Sequence, residues 1–252
     1  MDRVILFCDH TIGFRMAGDF LQYKGIQILG IYTNRKTGVE WWPDVHDLTS
    51  KEIEILDYDS TTSRHLISVE FDYLLLFSWR HILDSDLVKA AKKGCVNLHY
   101  SLLPLHRGVY PINWSIICGD EYTGVTFHFV NKSIDEGDII AQRKINIEKN
   151  DTVNSLLTKL DDLAFNLFEE IWPERDVWPD IKIKQNISLS SYHSKKDFDK
   201  IGRLKFDETY TVRDFVNLIR GKSFNGSSLF EYDMYGHSRS KMKISIKIGD
   251  DE

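Results

Sequence analysis

The sequence has few of the residues that disulfide-linked, membrane-bound or zinc-binding proteins need. Its 252 residues include three cysteines, Cys8, Cys95 and Cys118, and no Cys-x-x-Cys pair. An odd number of widely spaced thiols predicts reduced cysteines in a cytoplasmic protein. No apolar run approaches the roughly 20 residues that span a membrane, and the run from Val4 to Cys8 ends at Asp9, too early for a signal peptide. We therefore expect no contact with a membrane.

The chain also lacks an excess of positive charge and the usual glycine motifs of nucleotide sites. Its formal net charge is −6, whereas a general nucleic-acid binder is usually basic, so we expect no nucleic-acid partner. After the first apolar run the chain reads Asp9-His10-Thr11-Ile12-Gly13, which is neither Gly-x-Gly-x-x-Gly nor a P-loop. This segment is only a weak indication of a bound nucleotide phosphate.

Apolar runs of strand length alternate with helix-like stretches through the first part of the chain. Continuous apolar strands separated by helices predict parallel β-α-β units with both sheet faces covered. Two later runs alternate more clearly and predict antiparallel additions, before a long helix that Asp151-Thr152 opens and that reaches about Trp172. The predicted class is therefore α/β with a mixed, mostly parallel sheet. The predicted strands are Val4–Cys8, Ile26–Tyr32, Tyr73–Trp79, Cys95–Tyr100, Gly124–Val130 and Ile139–Ile147, and the predicted helices are Phe14–Lys24, ended by Gly25, and Asp84 or Ser85 to Lys93, ended by Gly94.

The last part of the chain differs in charge, because residues 181–252 carry 14 Lys/Arg against 10 Asp/Glu. We place a domain boundary near residue 180, with a large domain over 1–180 and a small C-terminal module over 181–252. In the module, Val212–Arg220 predicts a helix, and Leu229–Met234 and Lys243–Ile248 predict two strands joined through Tyr235-Gly236. Two such strands are not stable alone, so they pack either on a second copy, making a homodimer, or on the same chain's first domain.

The passage with the clearest chemistry combines an amide, an imidazole and a carboxylate. Asn97 and His99 are two residues apart in a predicted strand, so their side chains face the same way. Asp135 follows Asn97 by 38 residues. Transfer of a small acyl group to an amine needs a donor for the oxyanion and a base for the amine's proton. Asn97 offers the donor, His99 the base, and Asp135 a carboxylate that orients the imidazole, with Asp138 as the alternative carboxylate.

Around these residues the chain resembles the folate-dependent formyltransferases. The resemblance rests on Asn97-Leu98-His99, Ser101-Leu102-Leu103-Pro104, Arg107-Gly108, Gly124-Val125-Thr126 and Asp135-Glu136-Gly137-Asp138, and it is close over roughly residues 71–147. That family includes glycinamide ribonucleotide formyltransferase, methionyl-tRNA formyltransferase and the nucleotide-sugar N-formyltransferases. The resemblance implies a Rossmann-like formyltransferase domain, 10-formyltetrahydrofolate as co-substrate, no metal, and catalytic roles for Asn97, His99 and Asp135.

The resemblance also implies a folate site beyond the carboxyl ends of the strands, where ligands bind in parallel sheets. The matching segment of the family holds the pterin largely through main-chain groups, with apolar side chains covering the ring. The alternative is that Ile82, Leu83 and Val88 are ordinary core residues. The candidate folate contacts are Arg80, His81, Ile82, Leu83, Val88, Asn131 and Asp138.

For the acceptor, the resemblance favours a dTDP-linked dideoxyamino sugar, above all dTDP-4-amino-4,6-dideoxyglucose, in O-antigen or other surface-polysaccharide synthesis. Candidate contacts to its phosphates and base are Arg80, Arg107, Tyr192 and Lys195, because guanidinium binds phosphate in two-pronged fashion. A solvated Arg107 and a basic surface loop at Tyr192–Asp197 are the alternatives.

Five other functions remain open at this stage. Three share the fold and the catalytic residues, namely a dTDP-3-amino-3,6-dideoxyhexose formyltransferase, a methionyl-tRNA formyltransferase and a formyltetrahydrofolate hydrolase. The others are a noncatalytic nucleotide-binding module and a metal enzyme built on His99, His106 and Asp135, which no His-x-x-x-His or similar ligand pair supports. His106 and His128 are expected to be polar loop and strand residues.

Overall fold

The computed structural model describes residues 1–35, 42–48, 50, 53–59, 61–201, 203–205, 209–223, 228–234 and 238–244. The chain folds into two compact units. The first unit comprises Met1–His99, Thr126–Ala141 and Ala164–Gln185, and the second comprises Tyr100–Val125, Gln142–Leu163 and Asn186–Glu252. The boundary near residue 180 stays a prediction.

A seven-stranded sheet is the main element of the fold. Its strands run in the order β3-β2-β1-β4-β5-β7-β8. The first five are parallel to their neighbours, and β7 pairs with β5 in the antiparallel sense. The mixed, mostly parallel α/β sheet is thus confirmed. The seven strands of this sheet are β1 (Asp2–Cys8), β2 (Ile26–Thr33), β3 (Ile55–Asp57), β4 (Phe71–Phe77), β5 (Ala91–His99), β7 (Tyr122–Phe129) and β8 (Ile139–Asn146). The short strand β6 (Arg107–Gly108) lies outside it.

Apolar side chains cover both faces of the parallel strands, as the continuous apolar runs predict. One cluster joins Ile5, Phe7 and Leu74 to neighbouring strands and helices. Elsewhere in the first unit, Phe168 stacks on Trp172 at 5.5 Å between ring centroids. Burial of this apolar area stabilises the sheet whose strand ends carry the polar side chains described below.

The first helix, α1 (His10–Phe20), begins earlier than predicted. The carboxylate of Asp9 accepts a hydrogen bond from the backbone N–H of His10 at 2.9 Å, which satisfies one of the orphan donors at the helix N-terminus. The prediction of Phe14–Lys24 is therefore wrong at both ends. The segment Asp9–Gly13 after the first strand therefore forms the cap and the first turn of this helix.

The helix predicted to run to Lys93 is also shorter than expected. Asp84 caps α3 (Ser85–Ala90), and its side chain accepts from the N–H of Asp86 at 2.8 Å. The chain then enters β5 at once, because Ala91 pairs with Phe71 of β4. Gly94 lies inside this strand with φ +144°, where a Cβ would come within 2.6 Å of the Phe129 ring. Gly94 therefore makes room for an aromatic ring on the next strand and does not end a helix.

The remaining helices include the predicted long amphipathic helix. It is α5 (Val153–Ile171), which confirms the position that Asp151-Thr152 indicates. Apart from 3₁₀ turns, the other helices are α2 (Thr62–Ile67), α4 (Pro111–Ile117), α6 (Trp178–Ile181), α7 (Lys195–Ile201) and α8 (Val212–Lys222). No helix in the described part of the chain is long and apolar enough to cross a bilayer.

In the second unit, α4 and α8 pack closely. The Asn113 side-chain amide donates to the carbonyl of Gly221 at 2.8 Å. The guanidinium of Arg220 is buried and donates to the backbone carbonyls of Asp151, at 2.7 Å, and Glu148, at 2.8 Å. These contacts order the helix predicted at Val212–Arg220.

The C-terminal strands form a small three-stranded sheet. Its strands are β10 (Arg203–Lys205), β11 (Ser228–Met234) and β12 (Ser238–Ile244), whereas a short parallel pair joins β6 to β9 (Tyr192–His193). The antiparallel pairing of β11 with β12 agrees with the predicted hairpin. The second strand begins five residues before the predicted Lys243, and β10 was not predicted. Tyr235-Gly236 and residues 245–248 lie outside the described residues.

Candidate active site

Asn97 and His99 lie at the carboxyl end of β5, where ligands bind in open α/β sheets. Both point to one face, because side chains alternate along a strand. In the antiparallel pairing with β7, Asn97 lies opposite His128 and His99 opposite Thr126. Residues opposite each other on neighbouring strands share a face. Four polar side chains, those of Asn97, His99, Thr126 and His128, are thus brought together on one side of the sheet.

Asp135 completes the predicted group from the turn between β7 and β8. Its Oδ2 lies 3.6 Å from Nδ1 of His99. The Asp135 backbone has φ +54°, the left-handed region that aspartate tolerates better than most residues. Such a conformation costs free energy and persists only where its surroundings enforce it. The structure therefore places Asn97, His99 and Asp135 in one cluster, with Asp135 held in a strained turn.

Gly137 explains how the turn can pass so close to the sheet. A Cβ at this position would lie 1.5 Å from the carbonyl oxygen of Phe129. In addition, the N–H of Phe129 donates to the carbonyl of Asp138 at 2.9 Å. Only a residue without a side chain permits this approach.

His128 also belongs to this cluster, although the sequence pattern predicts only a polar strand residue at its position. Its Nδ1 donates to the carbonyl of Phe129 at 2.9 Å, so the neutral ring carries its lone pair on Nε2. That Nε2 lies 3.2 Å from the amide nitrogen of Asn97 and accepts from it. The carboxylate of Asp135 is 3.7 Å from the same nitrogen, but a lone pair cannot donate to it. The period-2 spacing of Thr126 and His128 was the available signal.

The electrostatics of His128 favour this neutral form. Burial lowers its pKa to about 4, with the carboxylate of Asp135 partly opposing the effect and His99 adding to it. A neutral ring near pH 7 keeps its acceptor towards Asn97. Because a carboxamide has two N–H donors in one plane, binding one of them orients the other.

The arrangement can support acyl transfer to an amine. The Asn97 amide can donate to an oxyanion, and the imidazole of His99 can accept the proton that the amine loses. A carboxylate beside Nδ1 favours the tautomer that leaves Nε2 as the base and stabilises the protonated ring. The geometry thus supplies each group that the chemistry requires.

Of the apolar candidates for folate contact, Ile82 differs from the other two. Ile82 is 83% exposed, which suits a side chain that covers a ligand. Leu83 and Val88 instead pack against the core cluster of the first unit, as the core alternative supposes. Their role in folate binding remains a prediction.

The polar candidates Arg80 and His81 belong to a network around Asp9. The guanidinium of Arg80 lies 3.4 Å from the buried carboxylate of Asp9, which also accepts from the Asn34 amide at 2.7 Å. His81 contacts the oxygen of that amide. Partial burial, with the nearby Arg80 charge, lowers the pKa of His81. This network lies where β1, β2 and β4 end, and the backbones of His10 and Ser78 there both have positive φ.

The other two folate candidates flank the turn that carries Asp135. Asn131 is exposed, and its Oδ1 accepts from the N–H of Ser133 at 2.9 Å. Asp138 lies 3.1 Å from the ammonium group of Lys182. Asp138 therefore has its own cation, while Asp135 faces His99, which favours Asp135 as the catalytic carboxylate.

The acceptor candidates Arg107, Tyr192 and Lys195 lie in the second unit. Arg107 is buried, so the solvated alternative is wrong. Its guanidinium lies 5.8 Å from the ring centre of Tyr192, across the β6–β9 pair. Lys195 is exposed at the start of α7. Tyr192–Asp197 thus forms a strand and a helix start in place of the loop that was the alternative.

His106 belongs to a separate cluster in the second unit. Its Nε2 lies 2.7 Å from the carboxylate of Asp120, and its Nδ1 lies 3.0 Å from Nε2 of His193. Burial lowers the pKa of His193, whose ring stacks on Trp114 at 4.0 Å. The described residues include no group of three or more His, Cys, Asp or Glu side chains that could hold a metal ion.

Comparison with known protein families gives two matches along the chain. Residues 47–171 match the model "Formyl transferase". Residues 197–248 match the model "N-formyltransferase dimerization C-terminal domain". The two matches together cover most of the chain.

Among curated proteins, the chain is 31% identical to the bifunctional polymyxin resistance protein ArnA of Wigglesworthia glossinidia brevipalpis, over 91% of this chain and 36% of that protein. It is 37% identical to the methionyl-tRNA formyltransferase of Ehrlichia chaffeensis, over 69% of this chain and 61% of that protein. The chain thus spans between about a third and three fifths of the length of these relatives.

Among solved structures, the fold is similar to a 4-N formyltransferase from Francisella tularensis, with a TM-score of 0.80, 21% identity and coverage of 99% of this chain and 98% of that one. It is also similar to an N-formyltransferase from Helicobacter canadensis in complex with folinic acid and dTDP-3-aminofucose, with a TM-score of 0.71, 21% identity and coverage of 91% and 86%.

Proposed function

We propose that this chain, which belongs to the formyl transferase family, moves a formyl group from 10-formyltetrahydrofolate to the amino group of a nucleotide-linked amino sugar. The observation that carries the proposal is the cluster of Asn97, His99 and Asp135 at the carboxyl end of β5, with His99 Nδ1 3.6 Å from the Asp135 carboxylate. These are the groups that formyl transfer to an amine requires.

In the proposed reaction the neutral amine attacks the formyl carbon, and a new C–N bond forms as the carbonyl oxygen becomes an oxyanion. The Asn97 amide donates to that oxyanion, and His128 holds the amide in place. His99 takes the proton from the amine, and the charge of Asp135 stabilises the imidazolium. The bond to the folate nitrogen then breaks, and the same proton passes to that departing nitrogen.

The choice of a nucleotide sugar draws its support from the extent of the similarities. The Francisella tularensis 4-N formyltransferase matches nearly the whole chain in both directions. The C-terminal match to an N-formyltransferase dimerisation domain also supports this class of enzyme. From the same match we propose that the protein acts as a homodimer. Within this class we favour dTDP-4-amino-4,6-dideoxyglucose, with a 3-amino sugar such as that bound by the Helicobacter canadensis enzyme as the alternative. Surface-polysaccharide synthesis is the proposed pathway.

The proposed acceptor contacts follow from charge and position. Arg80 lies at the strand ends of the first unit and is half exposed, with a side-chain exposure of 53%. Arg107, Tyr192 and Lys195 offer two cations and an aromatic ring in the second unit. A pyrophosphate needs a few such cations, and a pyrimidine can stack on tyrosine. We propose these residues as the acceptor contacts.

Methionyl-tRNA formyltransferase is the second candidate function. It is favoured by the 37% identity to the Ehrlichia chaffeensis enzyme, which covers 69% of this chain. Against it, the net charge of −6 is unfavourable for a polyanion.

The deciding experiment is a panel assay. The purified protein is incubated with 10-formyltetrahydrofolate and one acceptor at a time. The acceptors are dTDP-4-amino-4,6-dideoxyglucose, dTDP-3-amino sugars and methionyl-tRNA. We expect the mass of a dTDP-amino sugar to increase by one formyl group. A reaction with methionyl-tRNA alone would replace the proposal by the second candidate. Formate release without any acceptor would indicate a hydrolase, and no reaction at all would leave only a binding role.

A further inference from the structure

Residues 182–185, which we call the strap, run beside the turn that carries Asp135 within the first unit. Ile183 and Ile139 exchange two backbone hydrogen bonds, each 2.8 Å long. The ammonium group of Lys182 lies 3.1 Å from the carboxylate of Asp138 and 5.6 Å from the centre of the Phe129 ring. The strap lies between the two ranges that match family models, so neither match assigns it a role.

Gln185 is the residue of the strap that reaches the turn itself. Its side-chain nitrogen donates to the carbonyl of Asp135 at 2.9 Å and to the carbonyl of Gly137 at 2.7 Å. Both donors of one amide group are therefore used on two carbonyls of the same turn. Such a pair of bonds determines the direction of both peptide groups and so limits rotation of the backbone at Asp135.

Gln185 is buried beside the turn. The residue is only 6% exposed, so its two donated hydrogen bonds lie where water competes little for the donors. Among the described groups its amide oxygen has no protein partner, so this amide contacts the turn through its nitrogen alone.

The turn needs such a restraint because its backbone is not in a relaxed conformation. Asp135 has φ +54°, and rotation into the ordinary right-handed or extended regions would move its carboxylate. Gly137 touches the carbonyl of Phe129 and restrains the far side of the turn. Gln185 bonds the carbonyls of both residues and is thus placed to keep the intervening peptide in one orientation.

We propose that Gln185 is a positioning residue for formyl transfer, which holds Asp135 in the left-handed conformation that keeps its carboxylate beside His99. It acts through Asp135 and does not touch the reacting atoms. This inference rests on the proposed function, since the step it supports is the proton transfer at His99.

The main test is kinetic, with Gln185→Met and the control Asn113→Leu. Methionine keeps the length of the side chain but has no donor. Asn113→Leu removes another amide that donates to a backbone carbonyl, that of Gly221 in the second unit. We expect Q185M to lower kcat at least about tenfold with both KM values within about twofold, because small displacements of catalytic groups have effects of this size or larger. N113L is expected to keep kcat within about twofold. A Q185M enzyme with normal kcat would overturn the proposal.

A double-mutant cycle separates positioning from a general structural effect. If Gln185 acts through Asp135, Q185M made in a D135N background changes kcat by less than about twofold. If Q185M lowers kcat in that background as much as in the wild type, Gln185 does not act through Asp135 and the proposal is wrong.

Hydrogen exchange measures the same restraint without any activity. We expect Q185M to speed exchange in the peptide that covers residues 129–139 while N113L leaves it unchanged. Unchanged exchange in Q185M would overturn the restraint even if formyl transfer is established. If the wild type forms no formylated product, the proposed function fails, and the exchange result still decides whether Gln185 holds the turn. Should Q185M not fold, Q185E takes its place, since it keeps the shape of the side chain and removes the pair of N–H donors.

Discussion

The role of His128 can be tested by replacing it with phenylalanine. Phenylalanine fills nearly the same space but has neither ring nitrogen. His128→Phe therefore removes the acceptor that holds the Asn97 amide, 3.2 Å away, and the donor to the carbonyl of Phe129. The proposed catalytic residues Asn97, His99 and Asp135 all remain, so any loss of rate comes from their arrangement.

The expected size of the effect follows from the contacts. A neutral hydrogen bond contributes about 1 kcal/mol, so loss of the bond to Asn97 should lower kcat at least about fivefold. The upper limit is the loss of an oxyanion donor altogether, which costs about 10²–10³ in kcat. The carbonyl of Phe129 also loses its donor, so we expect some loss of thermal stability, partly offset by burial of an apolar ring.

The assay measures kcat and KM for H128F, N97A and the double variant. We expect H128F to fall between the wild type and N97A, and to add less than about twofold to N97A, because both changes affect one hydrogen-bond donor. An H128F enzyme within twofold of wild-type kcat would refute the positioning of Asn97 by His128. So would full additivity with N97A.

The pH dependence of stability gives an independent check on His128. Its pKa is lowered in the native state from 6.5 to about 4, so the unfolded chain binds the proton first as the pH falls. The stability linked to this neutral ring is therefore complete above about pH 6.5 and is lost as the pH falls from there towards the lowered pKa. H128F should lack this component. Unfolding free energies that change in parallel for both proteins over that range would contradict the buried neutral ring.

Three further predictions follow from the same structure. Gly137→Ala should unfold at a clearly lower temperature than the wild type, because its Cβ would lie 1.5 Å from the Phe129 carbonyl oxygen. The control Gly18→Ala, whose Cβ meets nothing closer than 3.5 Å, should be neutral or stabilising. Equal melting temperatures for the two variants would contradict this. Sedimentation at micromolar concentration should show a homodimer, and a monomer would count against the proposed assembly. Alanine substitutions of Asn97, His99 and Asp135 remove the proposed oxyanion donor, the base and its carboxylate, respectively. Each should lower turnover about a hundredfold or more with little change in thermal unfolding. Near-normal turnover would refute the assignment.

Much of the fold could be predicted from the sequence because its signals are local. A continuous apolar run such as Val4–Cys8 requires burial on both faces, and that alone indicates a central parallel strand. The two-residue spacing of Asn97 and His99 places both side chains on one face of any strand. Asp151-Thr152 before a helical apolar period marks the start of α5. In each case the information lies within a few residues.

Element ends were harder to predict, since strand pairing decided them. The stretch before Lys93 has helical character, but pairing of Ala91 with Phe71 ends the helix at Ala90. Gly94 is compatible with a helix end, and only the Phe129 ring across the sheet explains its place in a strand. Such choices depend on a partner strand that the local pattern does not identify.

The amide, imidazole and carboxylate of Asn97, His99 and Asp135 can be recognised along the chain without its fold, and they predict acyl transfer to an amine. The residues that hold these three groups in place come from distant segments and are recognisable only in the folded protein. His128 lies opposite Asn97 because β5 and β7 are antiparallel in one register, and Gln185 reaches the Asp135 turn from 50 residues along the chain. The spacing of residues along a strand determines which of them share a face. Their neighbours from distant segments depend on how the elements pack, because many strand registers satisfy the same hydrophobic pattern.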